Sequence, residues 1–204
     1  YRSDSMSLGS RERLFANLTV YESSYPEEAV FITPFLELLQ QPRCFFRDHL
    51  PGHLTGSAWI VNETGSHALL VHHAKLSKWL QPGGHADGDE NIFAVALREA
   101  QEETGLKNLC LLTENFFDID IHTIPARKDF REHLHFDIRF IFQASQHEPL
   151  LVSTESNQVA WFALDDILTL AENNFSIARM IKKTKHYFEA TSTMPKAITT
   201  SQNL

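Results

Sequence analysis

Glu99, Glu102 and Glu103 are spaced by three and four positions, which in a helix puts three carboxylates on one face. Like charges held that close repel one another, and a helix surface gains nothing from it. A hard divalent cation resolves the conflict, because Mg²⁺ and Mn²⁺ take oxygen ligands and are held by carboxylates together with substrate phosphate. Arg98, four residues before Glu102, can fix a carboxylate in one orientation. The loop ahead of it, Pro82-Gly83-Gly84-His85, offers backbone carbonyls to a metal and backbone amides to phosphate. The chemistry these residue types suit is the binding of a divalent cation beside a phosphate-bearing ligand. The residues alone also permit a plainer reading, a solvated acidic helix face.

The elements that would position these groups follow from patterning. A helix is expected over 90–104, where Phe93, Ala96, Leu97 and Ala100 recur as one apolar stripe. Asp87 with Glu90 three later resembles a capping box, and Gly105 stands where a left-handed C-terminal cap belongs. Upstream, two apolar runs (53–62 and 67–74) joined by a short Gly-containing turn read as a hairpin. Residues 11–50 show helical spacing, with Pro26 suited to a first helical turn. Downstream, 107–121 is strand-like, 159–164 is a short strand, and helices open at about 164 and over 176–188. The tail from about 191 is polar and is expected to be disordered. Strands interleaved with helices imply an α/β or α+β sandwich.

The full spacing is more specific than the glutamates. From Gly84, five residues lead to Glu90, seven more to Arg98-Glu99, and then Ala100, Gln101, Glu102-Glu103, Thr104, Gly105 and Leu106 follow. This resembles the Nudix box, with every fixed position filled and small Ala100 at an aliphatic position as the one soft departure. The resemblance to the Nudix hydrolase family extends in element order over about 53–172. It implies an α/β/α sandwich around a mixed sheet at 51–190, preceded by a helical N-terminal extension (1–50) and followed by the tail (191–204). It implies hydrolysis of a diphosphate linkage in a nucleoside diphosphate derivative or related organic pyrophosphate, with Mg²⁺ or Mn²⁺. By position, Glu99, Glu102 and Glu103 would bind metal and one of them would help activate water. Gly84 would add a backbone carbonyl, and Arg98 and Glu90 would orient, paired with each other. The other function class is a catalytically silent nucleotide-sensing or scaffold module; such a role permits loss of a box carboxylate, and none is lost.

Outside the box, Glu148 and Glu155 flank the segment before 159–164, and Glu155 is the preferred additional carboxylate. Eleven histidines are an unusual density, and His85, His122, His133 and His135 fall near the expected site. Over 133–144 the residues alternate: His133, His135, Asp137 and Arg139 on one face, Leu134, Phe136, Ile138 and Phe140 on the other. The polar face is expected to line the substrate cleft, with Arg139 gripping a phosphate or carboxylate. A His/His/Asp set can also hold a transition-type metal, or serve as a polar sheet face. Trp79 and Trp161 read as core residues rather than base-stacking ones.

Composition narrows the partners. The chain has 204 residues, 43% of them hydrophobic, enough for a real core. Its formal net charge of −8 disfavours nucleic acid, whose backbone calls for a basic face. A small phosphorylated molecule is the expected partner, since bound cations invert local charge. No apolar run reaches the roughly 18 residues of a membrane helix. The first ten residues are polar with no apolar segment behind them, so no secretion signal is expected. Cys44 and Cys110, each flanked by apolar residues, read as buried reduced thiols, and the cytoplasm is the expected location. The oligomeric state is left open, a dimer included.

Overall fold

The structure is a computed structural model in which residues 10–170 and 174–192 are described. Two long strands carry the architecture. β1 (Gly52–Val61) and β7 (His133–Gln143) run parallel over ten residue pairs, from Gly52↔Leu134 to Val61↔Gln143. Because successive side chains point to opposite faces, Leu54, Ala58 and Ile60 join Phe136, Ile138, Phe140 and Phe142 in one core. Trp59 and Val61 join Ile141 in a second core on the other face. The β-branched and aromatic residues of both runs suit a strand buried on both sides.

β2 (His67–His73), β3 (Lys78–Leu80), β4 (Gly83–His85), β5 (Cys110–Leu111), β6 (Asp118–Ile124) and β8 (Ser156–Ala163) complete an eight-stranded mixed sheet around the path β3-β2-β1-β7-β5. One edge of β1 is divided: β2 pairs with Ile60 and Val61, whereas β4 pairs with Thr55, Gly56 and Ser57. The far edge of β7 is divided likewise between β6 and β5. The first division brings the end of β2, the 81–85 segment and the start of β1 to the rim of one cleft.

α1 (Ser10–Thr19), α2 (Pro26–Ala29), α3 (Ile32–Leu38) and α4 (Ile92–Thr104) precede β5, and α5 (Leu164–Leu170) and α6 (Phe175–Ser192) follow β8. Leu14, Leu18 and Phe35 of the N-terminal helices share the first core with Ile92, Val95, Ala96 and Ala100 of α4. Leu164, Ile167, Ile177, Met180 and Ile181 of α5 and α6 cover the second. Helices on both faces of a mixed sheet are the sandwich expected from the sequence. Pro26 does occupy a first helical turn, and residues beyond 192 lie outside the described residues.

Several local expectations are corrected. α4 begins at Ile92 with Asn91 as its cap, the side chain accepting from the Ala94 amide at 3.1 Å. Asp87 instead sits at a positive φ of 50° and is ion-paired with Arg47. The buried stripe of α4 is Ile92, Val95, Ala96, Ala100, Glu103 and Thr104, with Phe93 and Leu97 only partly covered. Gly105 closes the helix at φ 75°, a left-handed conformation that glycine adopts without steric cost. Segment 107–121 splits between β5 and the start of β6. Cys110 lies exposed in the two-residue β5, while Cys44 is buried as expected.

Candidate active site

The glutamates of α4 reach the cleft across the two glycines of β4. Glu103 is almost fully buried and accepts a 2.8 Å hydrogen bond from the Gly83 amide. The Glu99 carboxyl lies over Gly84 so closely that a Cβ there would stand 2.5 Å from its Cδ. Gly84 therefore serves as a position without a side chain under a carboxylate. Arg98 donates to Glu99 Oε1 at 3.1 Å and to the His85 carbonyl at 3.3 Å, so it holds Glu99 and not Glu102. Glu90 is likewise not Arg98's partner: Arg11 of α1 donates to it at 2.7 and 3.0 Å. The N-terminal helix thereby clamps the start of the box.

Burial pushes Glu103 up to about 7; the Gly83 amide opposes the shift, and Glu99, Glu155 and Glu102 add to it. Burial also raises Glu99, against the pull of Arg98. Carboxylates so poorly compensated by the protein, offering hard oxygen donors from one helix face to a cleft, fit a Mg²⁺- or Mn²⁺-class ion. Glu102 and Glu155 line the same cleft. Glu148 does not: it accepts from the amides of Lys107 and Asn108 at 2.6 and 3.3 Å.

Opposite the carboxylates, registered strands make a polar face in rows. His122, His135 and His53 stand side by side on β6, β7 and β1. The next row is Asp120, Asp137, Thr55 and His85, reaching β4. Of the residues expected on this face, His133, His135 and Asp137 line the cleft, as do His85 and His122. Asp137 accepts from Thr55 Oγ1 at 2.9 Å, Ser57 Oγ at 2.8 Å and Arg139 Nε at 2.9 Å. These bonds fix its carboxylate against β1 and β7 and make it a positioning group of the sheet face.

Arg139 is a correction of a different kind. Its side chain is 3% exposed and its fork is taken by Asp137, Asp118 at 3.1 Å and Asp120 at 3.3 Å. It is buried beneath the sheet's polar face and is not among the residues that line the cleft. Arg179 of α6 donates twice to Asp118 at 2.8 Å. Lys183 reaches both Asp118 at 2.7 Å and the fully buried Glu28 of α2 at 2.6 Å. The network ties the N-terminal helices, β6, β7 and α6 together.

The cleft holds about 800 Å³. Lys75, Arg127 and Arg47 bring positive charge to its walls, and Phe130, Pro125, Leu76 and Leu80 bring apolar surface. None of these was singled out in the sequence, because lone cations and aromatics in loops carry no periodic signal. His53, Thr55 and Ser57 were not singled out either, since they lie in a run that reads as an apolar strand. Trp79 and Trp161 are partly buried against the cores, as expected, with Trp79 edge-on to Phe162 at 4.8 Å.

Among known proteins, the model of the NUDIX domain matches residues 52–184. The bis(5'-nucleosyl)-tetraphosphatase [asymmetrical] of Rattus norvegicus is 29% identical over 114 residues, 55% of this chain and 74% of its own length. The probable DHNTP pyrophosphohydrolase of Lactococcus lactis subsp. cremoris (strain MG1363) is 25% identical over 141 residues, 68% and 73% of the two chains. In structure, a C. elegans Ap4A hydrolase binary complex superposes with a TM-score of 0.55 at 16% identity, covering 67% of this chain and 98% of that one. At that identity the likeness is one of fold. With the family match spanning more than half the sequence and the box filled, the chain belongs to the Nudix hydrolase family.

Proposed function

We propose that this protein hydrolyses a diphosphate linkage in a nucleoside diphosphate derivative or related organic pyrophosphate, in a reaction that depends on Mg²⁺ or Mn²⁺. The observation that carries the reading is the convergence of Glu99, Glu102, Glu103 and Glu155 on one cleft that also holds Lys75 and Arg127. Both curated relatives bear names that specify hydrolysis of polyphosphate compounds. The volume of about 800 Å³ accommodates a nucleotide-sized ligand. A bound divalent ion would neutralise phosphoryl charge and lower the pKa of water it holds. Glu99, Glu102 and Glu103, with the Gly84 carbonyl, would hold that ion. Arg98 fixes the Glu99 carboxyl, and the Gly83 amide fixes that of Glu103. Glu155, facing them from the loop before β8, is the additional carboxylate, placed to accept a proton or complete the ligand set. Lys75 and Arg127 would receive the phosphate oxygens remote from the attack, and Phe130 the organic part of the substrate.

Among the described residues no helix is long and apolar enough to cross a membrane. Two free cysteines suit a reducing compartment, and we place the protein in the cytoplasm. The reading is tested by incubating the protein with a panel of nucleoside diphosphate derivatives and dinucleoside polyphosphates in ¹⁸O-labelled water with Mg²⁺ or Mn²⁺. Metal-dependent product with one labelled phosphate is expected. A panel left intact with either ion would remove the proposal.

A further inference from the structure

The rows of the polar sheet face place three imidazoles together that no motif connects. His53 comes from β1, His85 from β4 and His135 from β7, and one ring nitrogen of each lies within 4.8 Å of those of the other two. His53 is fully buried, and its Nε2 has no hydrogen-bond partner. Its Nδ1 faces the His49 carbonyl at 3.3 Å. A proton on Nδ1 satisfies that carbonyl and leaves a lone pair on Nε2, the arrangement by which a backbone acceptor orients a metal-binding imidazole. A buried acceptor with no partner is costly and calls for an explanation. His133 adds a neighbour, its Nδ1 against the Arg131 carbonyl at 2.8 Å and its Nε2 3.2 Å from His135 Nε2.

We propose that His53, His85 and His135 form a second metal site, for a zinc-class transition ion, separate from the carboxylate site of α4. Three neutral nitrogens and no carboxylate select Zn²⁺, Co²⁺ or Ni²⁺ over Mg²⁺ or Mn²⁺. A tetrahedral ion with bonds of about 2.0–2.1 Å sets its donors roughly 3.4 Å apart. Rotation of the imidazoles about their side-chain torsions closes the remaining gap of at most ~1.4 Å. His85 and His135 line the cleft, so the fourth position of the ion opens to it and is filled by water or by a substrate oxygen. Asp137, held by Thr55, Ser57 and Arg139, is not part of the converging group.

The test uses the full chain stripped by a chelator and titrated with Co²⁺, whose visible absorption reports a four-coordinate nitrogen site. Wild type is expected to bind one Co²⁺ per chain with that absorption, displaced by Zn²⁺ and untouched by excess Mg²⁺. His53→Gln and His85→Gln, checked for folding by circular dichroism, are expected to weaken it at least ~10-fold. Glu99→Gln/Glu103→Gln is expected to keep the absorption while losing hydrolysis, so the two sites fail independently. Absence of the absorption in wild type would overturn the proposal whatever the variants do. Its loss in the glutamate double variant and retention in both histidine variants would overturn it equally, by placing the ion on α4.

Discussion

Replacing Arg139 by Met keeps most of the side-chain volume and removes the charge that Asp118, Asp120 and Asp137 share. All four side chains are buried: Arg139 is 3% exposed, and the aspartates are 0%, 12% and 5% exposed. Burial alone would make the guanidinium easier to deprotonate, yet the three carboxylates override it and hold Arg139 firmly charged. Removing one partner of a buried ion pair typically costs about 3–5 kcal/mol, because the partner left behind is uncompensated. For a chain of this length each kcal/mol moves the melting temperature by about 2–4 °C, so Arg139→Met is expected to melt ~6–20 °C lower. Arg43→Ala, which breaks the exposed pair with Asp48, is the control and should barely move it. At a temperature where Arg139→Met remains folded, its KM should stay near that of wild type. The assay is thermal denaturation by circular dichroism beside steady-state hydrolysis. An unshifted melting temperature with a raised KM would refute the argument and return Arg139 to the substrate.

Other consequences follow from the same geometry. Asp120 is held down to about 2: burial opposes its ionisation, and Arg139 first, then His122, override that. A depressed folded pKa stabilises the protein fully above the unfolded value near 3.9 and is lost as pH falls toward 2. Urea titrations should therefore show wild type losing of order 2 kcal/mol more than Asp120→Asn between about pH 4 and pH 2; parallel curves would count against it. Gly84→Ala puts a Cβ 2.5 Å from the Glu99 carboxyl, the movable end of a side chain, so activation by Mg²⁺ should need ~10-fold more ion with little change in melting temperature. Gly83→Ala instead meets the Cα of Ser57 at 2.8 Å and should lower the melting temperature; equal behaviour of the two would contradict this. Glu155→Gln, in the cleft, should lower kcat by ~10²-fold and Glu148→Gln, outside it, should not; matching rates would remove Glu155 from the site.

The site was legible where the chemistry is local. The box spacing reports one helix and its flanking glycines, and alternation over 133–139 reports one strand face. What could not be read joins residues far apart in the chain. Arg11 replaces Arg98 at Glu90 across 79 positions, and Lys183 meets Glu28 across 155. The histidine row exists because β1, β6 and β7 share a register that no single segment encodes. Arg139 followed the alternation of its strand but not the expected role, since alternation gives a face and says nothing of what covers it. Cys110 was misread for a related reason: apolar neighbours suggested burial, and the segment proved to be a two-residue edge strand.

Action of the α4 carboxylates on substrate through a bound ion is tested with the least disturbance by Glu103→Gln, which removes a charge and keeps the shape. Turnover of the best substrate at saturating Mg²⁺, measured beside the melting temperature, should fall at least ~10²-fold while the fold persists. Wild-type turnover in the folded variant would contradict the assignment.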